Sequence, residues 1–190
     1  MGIFIRMAPC PGSIDDSGFD YTTGLGTLTI TLDGASAHNV VFFVDHQIDA
    51  DLNTYFNEYG AVSGLPSAGQ SWEVDEPGWV FGDIYDNFEA GTLDNANEIP
   101  AGFEDDVSMA MGWDFSLGAK EFAVVDFFLS DTPPASGFHL SHTDPESNEG
   151  QGATIYFSSY LNTQSIPEPG TVLLLGLGML SLLGIRRFIV

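Results

Sequence analysis

Val107-Ser108-Met109-Ala110-Met111-Gly112-Trp113-Asp114-Phe115 alternates large apolar side chains with small or polar ones. A period of two belongs to a β-strand, whose successive side chains leave opposite faces. The stretch therefore predicts a strand with Val107, Met109, Met111, Trp113 and Phe115 turned to a core. Outward from it the pattern recurs. Leu28, Ile30 and Leu32 alternate with Thr27, Thr29 and Thr31, and Ile155, Phe157 and Leu161 share a face against Tyr156, Ser158 and Tyr160. Two denser runs, Val40-Val41-Phe42-Phe43-Val44 and Phe122 to Leu129, predict strands buried on both faces. Asp33-Gly34, Pro77-Gly78, Pro133-Pro134 and Ser136-Gly137 mark turns, and Gly91 to Asp106 predicts a long acidic loop. Short strands broken by frequent turns, with little helix signal, predict an all-β domain: an antiparallel β-sandwich, with the jelly roll as its close variant.

The 190-residue, 20.4 kDa chain suffices for one such domain, able to bury about two thirds of its unfolded surface. A hydrophobic content of 44% and an aromatic content of 13% exclude a disordered acidic tail. Against 27 acidic residues stand four basic ones, Arg6, Lys120, Arg186 and Arg187, for a formal charge of −23. A groove that tracks phosphates needs clustered Lys and Arg, so nucleic-acid binding is excluded. All but one of the acids fall in residues 7–166, where Lys120 is the sole basic residue. Such a body repels anionic polymers, attracts cations, and suits a secreted protein or a saline setting. Cys10 is the only cysteine, which excludes an intramolecular disulfide and a Cys-based zinc cluster.

Val172 to Ile185, VLLLGLGMLSLLGI, is a run of fourteen residues without a charge. As a helix it spans about 21 Å, short of a hydrocarbon core of roughly 30 Å. Thr171 and the Phe188-Ile189-Val190 end extend it, with Arg186 and Arg187 snorkelling. The arginine pair places the C-terminus in the cytoplasm and the acidic body on the outer side of the membrane. Ahead of the run, Pro167-Glu168-Pro169 can enter neither a helix nor a central strand and predicts an extended, accessible stalk. The order Pro-Glu-Pro, short Leu/Gly-rich span, Arg pair, chain end resembles the PEP-CTERM sorting signal of bacterial surface and matrix proteins.

That resemblance implies that an exosortase, a membrane cysteine transpeptidase, recognises Pro167, Glu168 and Pro169. It also implies that the tail is removed and the body released or reattached at the cell surface. The chain then divides into an N-terminal stub (1–12), an acidic sandwich body (13–164) and a sorting signal (165–190) with an apolar transmembrane helix over 171–185. Trp113-Asp114-Phe115, followed by Leu117 to Glu121 and a dense apolar strand, is also similar to bodies that precede this signal. Family members carry a secretion signal. Here MGIFIRMAPC offers only Ile3-Phe4-Ile5 before Arg6, below the roughly 7–15 apolar residues of a signal-peptide core. Pro9 before Cys10 also spoils a lipoprotein box. The expectation is a truncated start.

Among constellations that carry chemistry, calcium ranks first. Asp49, Asp51 and Asn53 set oxygen ligands at alternate positions, with Asp45 and Glu58 nearby, and hard cations take about six to eight oxygens. The run is not an EF-hand, because Thr54 stands where the turn glycine belongs and Gly60 where the bidentate Glu belongs. Glu104-Asp105-Asp106 and Asp83 with Asp86 are further clusters, and solvated acidic surface explains all of them better than a specific site does. His139 and His142 are three apart and so face opposite ways on a regular strand, while His38 and His46 are isolated. Trp72-Glu73, Asp75-Glu76 and Trp79 supply the residue types of a glycosidase without the spacing information that would define one. Trp72, Trp79, Tyr85 and Phe88 fit core packing better than a sugar-stacking surface. There is no Gly-x-Ser-x-Gly elbow and no Gly-rich phosphate loop followed by Lys.

The expected function is that of a non-enzymatic exported bacterial protein of the cell surface, extracellular matrix or biofilm, in a structural or adhesive role. Its expected partners are an exosortase, the membrane before processing, and extracellular polysaccharide. The alternatives are a secreted carbohydrate-binding module or glycan-active enzyme with the same tail, and a permanently anchored membrane protein.

Overall fold

The computed structural model describes residues 2–8, 12–48, 55–78, 80–146 and 152–166. Ten strands pair antiparallel throughout: β1 (Gly2–Ala8), β2 (Gly12–Asp20), β3 (Leu25–Asp33), β4 (Ala37–Asp45), β5 (Tyr59–Ser63), β6 (Gln70–Asp75), β7 (Ser108–Ser116), β8 (Glu121–Ser130), β9 (His139–Asp144) and β10 (Ala153–Ser165). They form a four-stranded sheet, β1-β4-β7-β6, and a six-stranded sheet, β2-β3-β8-β10-β9-β5. Among the described residues one short α-helix, α1 (Ile84–Ala90), and a 3-10 turn, Tyr55–Asn57, are added. The architecture is all-β as the alternation predicts. Its four-plus-six arrangement exceeds the eight strands of a jelly roll.

One cluster of buried side chains joins the two sheets. Val40, Phe42 and Val44 of β4 and Met109, Met111 and Trp113 of β7 meet Leu28, Ile30 and Leu32 of β3, Val125, Phe127 and Leu129 of β8, and Ile155 and Phe157 of β10. The alternate residues of the smaller sheet, Val41, Phe43 and Ala110, turn outward and are covered by Ile84 and Phe88 of α1 and by Leu93. The dense β4 run is thus buried on both faces. The β8 run is not: Ala123, Val125, Phe127 and Leu129 are buried, whereas Phe122, Val124, Asp126 and Phe128 are half-exposed on the outer face of the larger sheet. That corrects the expectation for residues 122–129, since among the described residues no helix covers the larger sheet there.

The segment expected as a stub is an edge strand. Ile3, Ile5 and Met7 pack on the core, Phe4 sits 5.8 Å from Phe43, and Arg6 Nε donates to the Glu89 carbonyl at 2.9 Å. Gly91–Asp106 is irregular as expected, but it lies along β6 through Asn95 N–Trp72 O, Val74 N–Ala96 O and Glu98 N–Val74 O bonds, burying Leu93 and Ile99. Gly91 ends α1 with φ 75°, a left-handed conformation that glycine adopts without strain. Gly60 serves a close approach instead: a Cβ there would stand 2.3 Å from Val74 Cγ1.

Between the sheets lies one completely satisfied hydroxyl. Ser159 Oγ accepts from Trp113 Nε1 at 2.9 Å and Gln70 Nε2 at 3.1 Å, and donates to Met111 Sδ at 2.8 Å. That uses its one proton and both lone pairs. Ser159→Ala leaves Trp113 Nε1 unpaired, while Gln70 Nε2 keeps Met111 Sδ at 3.2 Å and the Ser159 carbonyl at 3.4 Å, and is expected to cost about 1–3 kcal/mol, read as a fall in urea midpoint at constant m-value.

Candidate functional site

At one end of the sandwich the strand termini bring carboxylates together. Asp45 closes β4, Asp75 closes β6 and Asp144 closes β9, while Ser108 opens β7 and Glu58 stands just ahead of β5. Strands that end in acids are natural where chain passes from core to solvent. Here the ends converge and several of the acids are buried: Glu58 (2%), Glu73 (0%), Asp75 (5%) and Asp144 (0%) keep almost no solvent exposure.

One group comprises Glu73, Asp75 and Asp83, whose ligand atoms lie within 4.8 Å of one another. These carboxylates already have donors. Glu73 accepts from Asn87 Nδ2 at 3.0 Å and Asp94 N at 3.2 Å, and Asp75 Oδ2 accepts from Asp83 N at 2.7 Å. They fasten α1 and the following segment to β6. Burial pushes Glu73 up to about 7 and raises Asp75. Glu73 is enclosed with an N–H group on each carboxylate oxygen, and Trp72 beside it packs on Phe138 at 5.9 Å.

A second group spans both sheets. Glu58 Oε2 lies 2.6 Å from His142 Nε2, both enclosed. Burial is the first cause of both displacements, Glu58 upward to about 8 and His142 downward to about 4, so the pair is held uncharged at neutral pH. Asp144 Oδ1 accepts from Glu146 N at 2.8 Å and faces Asn57 Nδ2 at 3.4 Å. Across the smaller sheet Ser108 is directly opposite Asp45 on one side and Asp75 on the other, so the three side chains share a face. Burial raises Asp45. It pushes Asp106 up to about 7, with Asp45, Glu58, Asp105 and Glu76 adding like-charge repulsion.

Of the residues expected to hold calcium, Asp45 and Glu58 are thus brought to one pole. Asp49, Asp51 and Asn53 lie outside the described residues. Asp106 belongs with Asp45 and Glu58, a neighbourhood that sequence spacing does not reveal. The histidines serve structure: His38 Nε2 meets the Gly34 carbonyl at 2.9 Å and its ring stacks on Phe115, His46 Nε2 meets the Thr23 carbonyl at 2.8 Å, and His139 packs edge-on to Tyr156. His139 and His142 do face opposite ways: His142 is enclosed, and His139 lies on the outer face. Tyr85 and Phe88 pack on Phe43 at 5.9 and 5.8 Å, as core packing requires, and Trp79 lies outside the described residues.

The chain leaves the domain at the opposite pole. β10 begins beside the acidic end, where Ala153 pairs with Asp144, and runs thirteen residues to Ser165 opposite Glu121. At about 3.3 Å per residue that is roughly 40 Å. Ile166 N then donates to the Lys120 carbonyl at 2.7 Å.

Residues 165–187 match the family model of the PEP-CTERM protein-sorting motif. The chain therefore carries that motif where β10 ends, and the motif implies an exported protein processed by an exosortase, with a C-terminal membrane anchor. No curated protein and no solved structure matches the chain. No helix among the described residues is long and apolar enough to cross a membrane. The apolar run 171–185, with Pro167, Glu168, Pro169, Arg186 and Arg187, lies outside the described residues.

Proposed function

We propose that the protein is a non-enzymatic component of the cell surface or extracellular matrix: a rigid acidic sandwich delivered by the exosortase route for a structural or adhesive task. The observation that carries this is that the sorting motif begins at Ser165, where β10 ends, after that strand has run away from the carboxylate pole. Attached or released there, the domain presents its acidic end outward. The engagement of the buried Glu73, Asp75 and Glu58 by N–H donors and an imidazole supports a structural use of them. In the native host, replacing Pro167-Glu168-Pro169 by three alanines is expected to leave an unprocessed precursor in the membrane fraction and to deplete the surface and medium fractions. Undiminished surface protein from that variant would overturn the reading.

Glycan binding has one observation in its favour. On the outer face of the larger sheet, Tyr156 and Tyr160 of β10 and Phe128 of β8 line a shallow pocket of about 320 Å³ with Ser130 and Thr132. Tyr160 is 49% exposed. Rings beside hydroxyls suit stacking on sugars. Saturable binding to one sugar class on a glycan array, lost in Tyr160→Ala, would favour this reading over a purely structural one.

A further inference from the structure

Glu73, Asp75 and Glu58 each receive donors, whereas no hydrogen bond from a described residue reaches the Asp106 side chain. Asp106, Asp105 and Glu76 line an open pocket of about 360 Å³, walled on its apolar side by the exposed Phe56, Val80 and Phe81. Asp105 is tied to this end by its N–H to the Glu58 carbonyl at 3.0 Å.

A second and independent observation comes from the uncharged polar atoms. Ser108 is wholly buried, and its Oγ has no hydrogen-bond partner among the described residues. Strand register points that hydroxyl to the same side as the carboxylates of Asp45 and Asp75. Asn57 Oδ1, whose amide faces Asp144, is likewise buried without a described partner. Buried polar atoms are almost always paired with protein, water or an ion. Orphaned buried oxygens, Ser108 Oγ above all, beside like-charged carboxylates mark a place where something positive and oxygen-seeking belongs.

We propose that this pole binds a hard divalent cation, calcium in class, through the carboxylates of Asp106 and Asp45 and the Ser108 hydroxyl, with Asp105 and Glu76 at the rim and water completing the shell. The donors are all oxygens, which selects against thiophilic and imidazole-seeking metals. They come from irregular chain as well as strand, and such a loosely arranged set suits the flexible coordination of calcium over the strict octahedron of magnesium. Because one end of the site is open, a second acidic surface could share the ion.

The full chain, stripped with EDTA and returned to calcium at constant ionic strength, is expected to gain about 5–10 °C in Tm once free calcium is near a hundred times Kd. Magnesium at the same concentration should give less than half of that shift. Asp106→Asn separates binding from simple relief of repulsion. It is expected to raise Tm in EDTA, because a repelled charge is removed, and to abolish the calcium shift. Ser108→Ala should fold normally, as its hydroxyl has no described partner, and should weaken calcium binding several-fold. A calcium shift that survives in Asp106→Asn, or one matched by sodium chloride at equal ionic strength, overturns the proposal.

Discussion

In EDTA the domain is expected to melt about 5–10 °C lower at pH 8.5 than at pH 6, the reverse of a protein stabilised by ionised carboxylates. Glu73 is wholly buried, and burial is the first cause that lifts it from 4.5 to about 7. The Asn87 side chain and the Asp94 N–H partly offset this, and the charges of Asp94 and Asp83 add to it. Between pH 4.5 and 7 the native state keeps a proton that the unfolded chain releases, so stability falls as pH rises through that window and levels off above it. The gap corresponds to roughly 3 kcal/mol at most. Glu58, lifted to about 8, and Asp106, lifted to about 7, act in the same direction. His142 acts oppositely, since a folded value near 4 makes stability rise with pH only up to its unfolded value of 6.5. Three raised carboxyls outweigh the one depressed imidazole, so the net decline begins near pH 4.5, is steepest between 6.5 and 7, and ends near 8. Glu73→Gln should make the slope shallower, and a Tm that climbs across this range would refute the burial argument.

Phe42→Ala is expected to be the most damaging single substitution, costing about 3–5 kcal/mol, a large part of the 5–15 typical of a whole domain. Phe42 is wholly buried on β4 and reaches across the inter-sheet space to Phe127 at 5.2 Å and Phe157 at 5.6 Å, both edge-on. Deleting the ring removes a contact to each of two strands in the opposite sheet at once, and a β-sandwich has little freedom to collapse onto the space. Phe43→Ala, one residue along, faces α1 instead and should cost less, because a short helix can settle inward. Urea titration of the two variants reads the difference directly. Equal losses would mean that the two faces of β4 are equally constrained.

The strands that alternate cleanly were legible because a period of two needs no partner to be recognised. Leu28, Ile30 and Leu32, and likewise Met109, Met111 and Trp113, face the core as the pattern requires. The β8 run misleads because Phe122, Val124 and Phe128 are apolar yet half-exposed, so an outer face imitates a buried one. Residues 2–8 show Ile3, Ile5 and Met7 at strand spacing, but Phe4 between them and Arg6 hide the alternation; Phe4 packs against Phe43, Tyr85 and Phe88 while staying 37% exposed. Helix α1 is seven residues long, too short for a helical period to emerge. At the acidic pole, proximity in sequence joined Asp45 to Glu58. Only strand pairing could set Ser108 between Asp45 and Asp75 and bring Asp106 within reach of both Asp45 and Glu58. Register of this kind depends on tertiary packing and leaves no mark on local spacing.

The central claim is that this acidic sandwich is an exported exosortase substrate whose tail is an address. Intact-mass analysis of the mature protein from its native host tests it most directly. The account predicts a C-terminus close to Pro167-Glu168-Pro169, with the apolar run and Arg186-Arg187 gone. A mass that retains the chain through Val190 would contradict it and leave a permanently anchored membrane protein in its place.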